Sequence, residues 1–188
     1  MNDAYRDSLS RRLGAVHRLY REACATMDLE QVNAVAAPTT LPIAFSLVHQ
    51  LLIEDLSRAL CGGPAPLCEP AALAPLRLGV HDHGKERPVE EMMAQRIGDY
   101  DAFRALQERV FSATEAYVVA VAPTSLDEVL VAAPYPEQLA HTFSALVGAE
   151  RGITRSDALE CWVYQHALRH LGEIEHARSL VGLGGMTS

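Results

Sequence analysis

The chain has no C-x-x-C pair. Its four cysteines, Cys24, Cys61, Cys68 and Cys161, stand far apart, so neither a zinc ribbon nor a redox motif is indicated, and reduced thiols are the expectation. It also has no long apolar run. The most apolar stretch, Leu41 to Ile53, spans about 13 residues and carries His49 inside it, where a membrane-crossing helix needs roughly 20. Met1 to Arg12 mixes acidic and basic residues without an apolar core, so no signal peptide is read there. Positive charge is scarce: the net charge is −8 and the pI about 5.4, which argues against a nucleic-acid surface. No internal repeat, no low-complexity tail and no β-alternation long enough for a sheet are found. These absences point to a soluble, cytoplasmic protein without nucleic-acid or membrane partners.

What is present is an ordinary globular composition, 49% apolar and 21% charged, over 188 residues. That length suits one domain, residues 1–188, with a sizeable core. Helical periodicity dominates. Leu9, Leu13, Val16, Tyr20, Ala23 and Met27 recur at steps of four and three, which places them on one stripe of a long first helix. Pro38 and Thr39-Thr40 signal a turn and a new start. A second helix follows over about Pro42 to Leu60, with Phe45, His49, Leu52, Leu56 and Leu60 on one face. Glycines and prolines from Gly62 onward open a long connection towards Pro88, expected to order partly as helical turns or to shape a site. A third helix is read from Val89 or Ile97 to Val121, with Phe103, Leu106, Val110, Ala113 and Tyr117 as its stripe. A short helix is expected over Glu137 to Val147. The last helix starts at Thr154, with Asp157 at capping-box spacing, and runs to about Gly182. The fold class is therefore all-α, a bundle of about four helices with long irregular connections.

His166 and His170, four residues apart, project from one face of that last helix, on the stripe of Leu159, Val163, Ile174 and Ala177. Two imidazoles at this spacing can grip one divalent ion. A third ligand must come from another helix, and His49, which also interrupts an apolar face, is the candidate. A lone histidine on an apolar face is more often a satisfied core residue, and a bare H-x-x-x-H is common, so the spacing alone leaves both readings open. Residue 167 is Ala, so this is not the H-E-x-x-H of metalloproteases.

The segment Tyr164-Gln-His-Ala-Leu-Arg-His-Leu-Gly-Glu-Ile174 resembles the C-terminal signature of the DinB/YfiT-like metalloenzyme superfamily, an H-x-x-x-H followed by x-G-Q-I or a close variant. Pro42-Ile-Ala-Phe-Ser-Leu-Val-His49, followed by Glu54-Asp55, is similar to that family's second helix, in which an apolar run leads to a histidine with acidic residues about five positions later. The resemblance spans most of the chain. It implies a four-helix bundle of up-down-down-up topology, with a zinc or nickel ion on His49, His166 and His170. It also implies a dimer, and a small-molecule reaction that in some members depends on a low-molecular-weight thiol, such as S-transfer or isomerisation. The apolar stripe of the first helix is a candidate dimer face. The chain departs from the family pattern at Ala167, Leu171 and Glu173, where Glu, Arg and Gln are frequent.

Three neutral imidazoles leave the ion its full charge and an open position, the layout of a catalytic site, where bound water or a thiolate becomes reactive. Glu54, Asp55 and Glu173 are candidates for orienting a ligand histidine or for a base. For Glu54 and Asp55 the alternative is a solvated acidic pair; for Glu173 it is a surface position. His81-Asp82-His83 reads as a surface loop. His17, His141 and His176 receive no role. Tyr117 and Trp162 are expected in the core or a pocket wall, and Cys161 is off the face of His166. The competing functions are a non-catalytic helical dimer with core histidines and a metal-dependent hydrolase without a thiol.

Overall fold

The computed structural model describes residues 2–35, 37 and 40–185. In chain order the elements are α1 (Asn2–Ala25), α2 (Leu29–Asn33), α3 (Ile43–Leu60), α4 (Pro70–Leu73), α5 (Val89–Met92) and α6 (Tyr100–Ala120). Then come β1 (Val129–Val131), α7 (Glu137–Ala140), α8 (Phe143–Gly148), β2 (Ile153–Thr154) and α9 (Arg155–Ala158), and a π-helical stretch, Leu159–Tyr164, leads into α10 (Gln165–Leu180). The protein is mostly helical, as the periodicity predicts. Helix α1 packs on α6 and α10, and α3 packs on the same two. No described helix is long and apolar enough to cross a membrane.

The predicted stripe of α1 is buried throughout, from Leu9 to Ala23, with Met27 just beyond the helix end. The stripe therefore belongs to the chain's own core. Pro38 and Thr39 lie outside the described residues. Helix α3 begins at Ile43 and departs from the one-sided reading: Leu56 and Leu60 are exposed, whereas nearly every residue from Ile43 to Leu51 is buried. The cause is the long connection that follows. It lays Leu73, Leu76, Leu78 and Ile97 into the same core as Leu47 and Leu51, covering a side of α3 that helix neighbours leave open.

That connection is strapped to α3 by a buried ion pair. Asp55 accepts the N–H groups of Leu67 (2.7 Å) and Cys68 (2.8 Å) and pairs with Arg58 at 2.6 Å. Arg58 in turn donates to the carbonyls of Pro64 (2.8 Å) and Ala65 (3.2 Å). Glu54 and Asp55 are both buried, which overturns the reading of a solvated acidic pair. A buried carboxylate persists only where donors or cations satisfy it, and here both do.

Three further expectations are corrected. The third helix does not start at Val89 or Ile97: α5 is a separate turn, and α6 starts after Asp99, which caps it by accepting the Ala102 N–H at 2.9 Å. The predicted helix over Glu137 to Val147 is two short helices, because the Thr142 side chain caps a new one at Ala145. A small antiparallel sheet pairs Val129 with Thr154 and Val131 with Ile153. Strands this short hold no readable alternation. Gly152 permits the pairing, since at φ +90° a Cβ would stand 2.8 Å from the Val131 carbonyl oxygen. The capping box of Thr154 and Asp157 forms as predicted.

His17, which drew no assignment from the sequence, joins three helices. It is fully buried and lies flat on Phe111, ring centroids 3.9 Å apart at 3°. Its Nδ1 meets Glu115 of α6 at 2.7 Å, and its Nε2 meets Glu54 of α3 at 3.0 Å. Burial opposes the charged imidazole, but the Glu54 charge and the Glu115 hydrogen bond outweigh it and push the pKa up to about 9. A folded pKa above the unfolded value stabilises fully below the unfolded pKa, near 6.5, and that contribution fades as pH rises through about 9. Urea unfolding is therefore expected to give a lower midpoint at pH 9.5 than at pH 7. His17→Leu, which leaves Glu54 buried and uncompensated, should cost about 3 kcal/mol and flatten that part of the pH dependence. An unchanged midpoint across this range would show that His17 is neutral in the fold.

Candidate metal centre

The buried start of α3 and the first turns of α10 face each other, and the three predicted histidines meet at that seam. His166 Nε2 lies 3.2 Å from His49 Nε2 and 3.2 Å from His170 Nε2. The three ligand atoms lie within 4.8 Å of one another. An ion holding nitrogens at about 2.0–2.1 Å in tetrahedral geometry sets them roughly 3.2–3.4 Å apart, which the two separations from His166 match.

The proton inventory makes the match more specific. His49 Nδ1 donates to the His83 carbonyl, and His170 Nδ1 donates to Glu173 at 2.6 Å. In the neutral form each ring then carries its one proton on Nδ1 and presents a bare lone pair at Nε2. A proton on His166 Nε2 can serve one of these acceptors, never both. A cation at the centre satisfies all three. His166 Nδ1 is buried without a hydrogen-bond partner among the described residues.

The electrostatics favour neutral rings. Burial, foremost, pushes the pKa of His49 down to about 4, helped by the neighbouring imidazoles and opposed by the hydrogen bond to His83. Burial and the charges of His170 and His49 push His166 down further, to about 2. Imidazoles with this little affinity for protons are ready to bind metal at neutral pH without first losing one. Glu173 is held below the usual carboxylate range, first by the His170 hydrogen bond and against the effect of burial. It also accepts the Ser46 hydroxyl at 3.1 Å, so a residue of α3 and a ligand of α10 share one carboxylate.

The loop before α5 completes the support. Asp82 pairs with Arg87 at 2.7 Å and accepts the Gly84 N–H at 2.8 Å, while His83 Nδ1 accepts the Lys85 N–H at 3.2 Å. This turn holds the His83 carbonyl against His49. Gly84 has φ +73°, and a Cβ there would stand 2.7 Å from the Phe45 ring. Phe45 stacks on His49 with centroids 5.5 Å apart. The segment read as a surface loop thus carries the backbone acceptor that orients one ligand, although His81 itself is exposed.

Of the predicted site residues, His49, His166 and His170 come together and Glu173 joins them. Glu54 and Asp55 do not: Glu54 serves His17 and Gln50, and Asp55 serves Arg58 and the loop backbone. Ala167 and Leu171 are buried in the core, where the Ala167 carbonyl accepts the Tyr20 hydroxyl at 2.8 Å. Cys161 is buried, and burial pushes its thiol up to about 11. Tyr117 and Trp162 pack at the edge of the second core cluster. Ser46, Phe45 and the His83 carbonyl were not assigned from sequence. Ser46, one turn before His49, had a positional hint; a backbone carbonyl has no residue signature.

No protein-family model matches the chain, and no curated protein matches it. Among solved structures, the chain is similar to a conserved protein from Enterococcus faecalis, with a TM-score of 0.73 and 18% identity over 93% of this chain and 95% of that one. At that identity the likeness concerns the fold alone.

Two expectations test the support around the ions' ligands. Glu173→Gln should weaken Zn²⁺ affinity about tenfold in a competition titration against a chromophoric chelator; equal affinity would remove Glu173 from the centre. Gly84→Ala combines backbone strain with a clash against Phe45 and should weaken the same affinity, with the helical content unchanged by circular dichroism. Retained affinity would show that the turn does not position His49.

Proposed function

We propose that the chain is a DinB/YfiT-like metalloprotein, a four-helix bundle of up-down-down-up topology. In this reading it binds one zinc or nickel ion on His49, His166 and His170 and acts on a small molecule by thiol-dependent transfer or isomerisation. The observation that carries the reading is the meeting of three Nε2 atoms, two with their protons committed elsewhere. When bound, a divalent ion there supplies Lewis acidity and lowers the pKa of a thiol or water in its open position. The residues themselves orient and hold. The His83 carbonyl and Glu173 fix the tautomers of His49 and His170 and orient their rings. Glu173, whose side chain is 58% exposed, stands at the rim with its carboxylate held by His170 and Ser46. The four cysteines are unbridged, which accords with a reducing, cytoplasmic setting. The family's dimer, if shared, would use a surface other than the buried stripe of α1.

Protein purified without chelator is expected to carry about one equivalent of metal per chain. His166→Ala should lose metal uptake and keep its helicity. Content below about 0.2 equivalents, with no uptake of added Zn²⁺ or Ni²⁺, would sink the metalloprotein reading in favour of a non-catalytic bundle. Assays of the metal-loaded protein with and without low-molecular-weight thiols separate the remaining alternatives, since a hydrolase is indifferent to the thiol.

A further inference from the structure

Leu159, Val163, Ala167 and Leu171 are all buried, and they stand at three successive steps of four. At 3.6 residues per turn each such step drifts by about 40°, so a straight α-helix would carry the last of them about 120° off the core. The π-helical stretch Leu159–Tyr164 takes up that drift. Its turn is one residue wider, and the Gln165 N–H donates to the Glu160 carbonyl five residues back. His166 and His170, each one residue before a core position, come to face His49 of α3 on this register. Were the stretch to relax to α-helical pairing, both imidazoles would turn by about 100°, one residue's step, relative to the residues before it. A π turn is rare and is found mostly where a site depends on it.

Side chains of α1 grip this turn. Arg12 forks onto Glu160, Nη1 to Oε1 and Nη2 to Oε2, both at 3.0 Å, a bidentate pair that fixes orientation as well as distance. The same guanidinium lies over the Tyr164 ring, 4.5 Å from its centroid. The Tyr5 hydroxyl stands 3.1 Å from Glu160 Oε2 and 3.2 Å from the Ser156 carbonyl oxygen, and its proton serves the two. Gln165, the residue before His166, reaches Glu160 at 3.5 Å. These contacts touch the chain before the π turn, within it and just after it. Beside them opens a cleft of about 330 Å³, lined among others by Tyr5, Ser156, Glu160, Cys161 and Gln165. On this side, then, a few polar contacts hold the turn where a packed interior would otherwise do so. We propose that Arg12 and Tyr5, acting through Glu160, are positioning residues that lock the π-helical register on which His166 and His170 meet His49. This rests on the proposed metal centre and adds to it a clamp on the face of the helix away from the ion.

The test titrates the full chain with Co²⁺, whose visible spectrum reports the geometry of its ligands. Arg12→Ala and Glu160→Gln should each weaken cobalt binding about fivefold and alter the visible bands. Arg12→Lys, which keeps the charge and one hydrogen bond, should recover most of the affinity. Tyr5→Phe removes a single oxygen and should shift binding the same way by about twofold, which keeps the test open if a larger change fails to fold. The control is Arg21→Ala. Arg21 forks onto Glu108 of α6 at 2.6 and 3.1 Å from the same helix, and its side chain is as exposed as that of Arg12. Its loss should lower the melting temperature about as much as Arg12→Ala and leave the cobalt affinity and spectrum of wild type. Wild-type affinity and spectrum in the folded Arg12, Glu160 and Tyr5 variants overturn the proposal and leave the metal centre standing. An equal change in Arg21→Ala also overturns it, because the effect is then one of general stability. A wild-type chain that takes up no cobalt overturns both readings.

Discussion

His49 and His170 give their Nδ1 protons to the His83 carbonyl and to Glu173, and so present bare lone pairs on either side of His166. Much of the surrounding structure serves that arrangement. The His83 carbonyl is in place because a tight turn is pinned by Asp82 and Arg87 and seated on Phe45 through Gly84. Glu173 is held from the other helix by Ser46. The long connection after α3 covers the helix and keeps the first turns of α3 out of water. That dryness lowers the proton affinity of His49 and His166 and so favours an ion at the centre.

Helix α3 also serves a second histidine of opposite character. His17 lies between Glu54 and Glu115 and is held charged, whereas His49 lies among a carbonyl and other imidazoles and is held neutral. Burial acts the same way on both, against charge. What differs is the partner: two carboxylates in one case, a carbonyl and two imidazoles in the other. The acidic residues that follow His49 in sequence therefore belong to other interactions. Glu54 turns to α1, and Asp55 anchors the connection. The carboxylate that does reach the histidines, Glu173, sits one turn beyond His170 on the same helix.

Much of this could be read before any coordinates. The stripe of α1, the H-x-x-x-H pair of α10 and the Thr154 cap each depend on spacing within one helix, and local spacing is what a sequence displays. His49 was readable because an imidazole interrupts an apolar run. The full burial of α3 was not, since periodicity reports how many faces are apolar and the buried polar side chains Gln50, Glu54, Asp55 and Arg58 mimic a solvated face. The two-stranded sheet was missed because two and three residues carry no period. The π-helical stretch before His166 shifts register by hydrogen-bond pattern alone.

The sequence by itself determined the helical class, the three histidines and the polar positions beside them, because these are properties of residue type and of spacing along one helix. Tertiary structure decided which carboxylate serves which histidine and which backbone carbonyl orients His49. Those choices depend on distances between segments far apart in the chain, set by packing α3 against α10 and folding the connection over both.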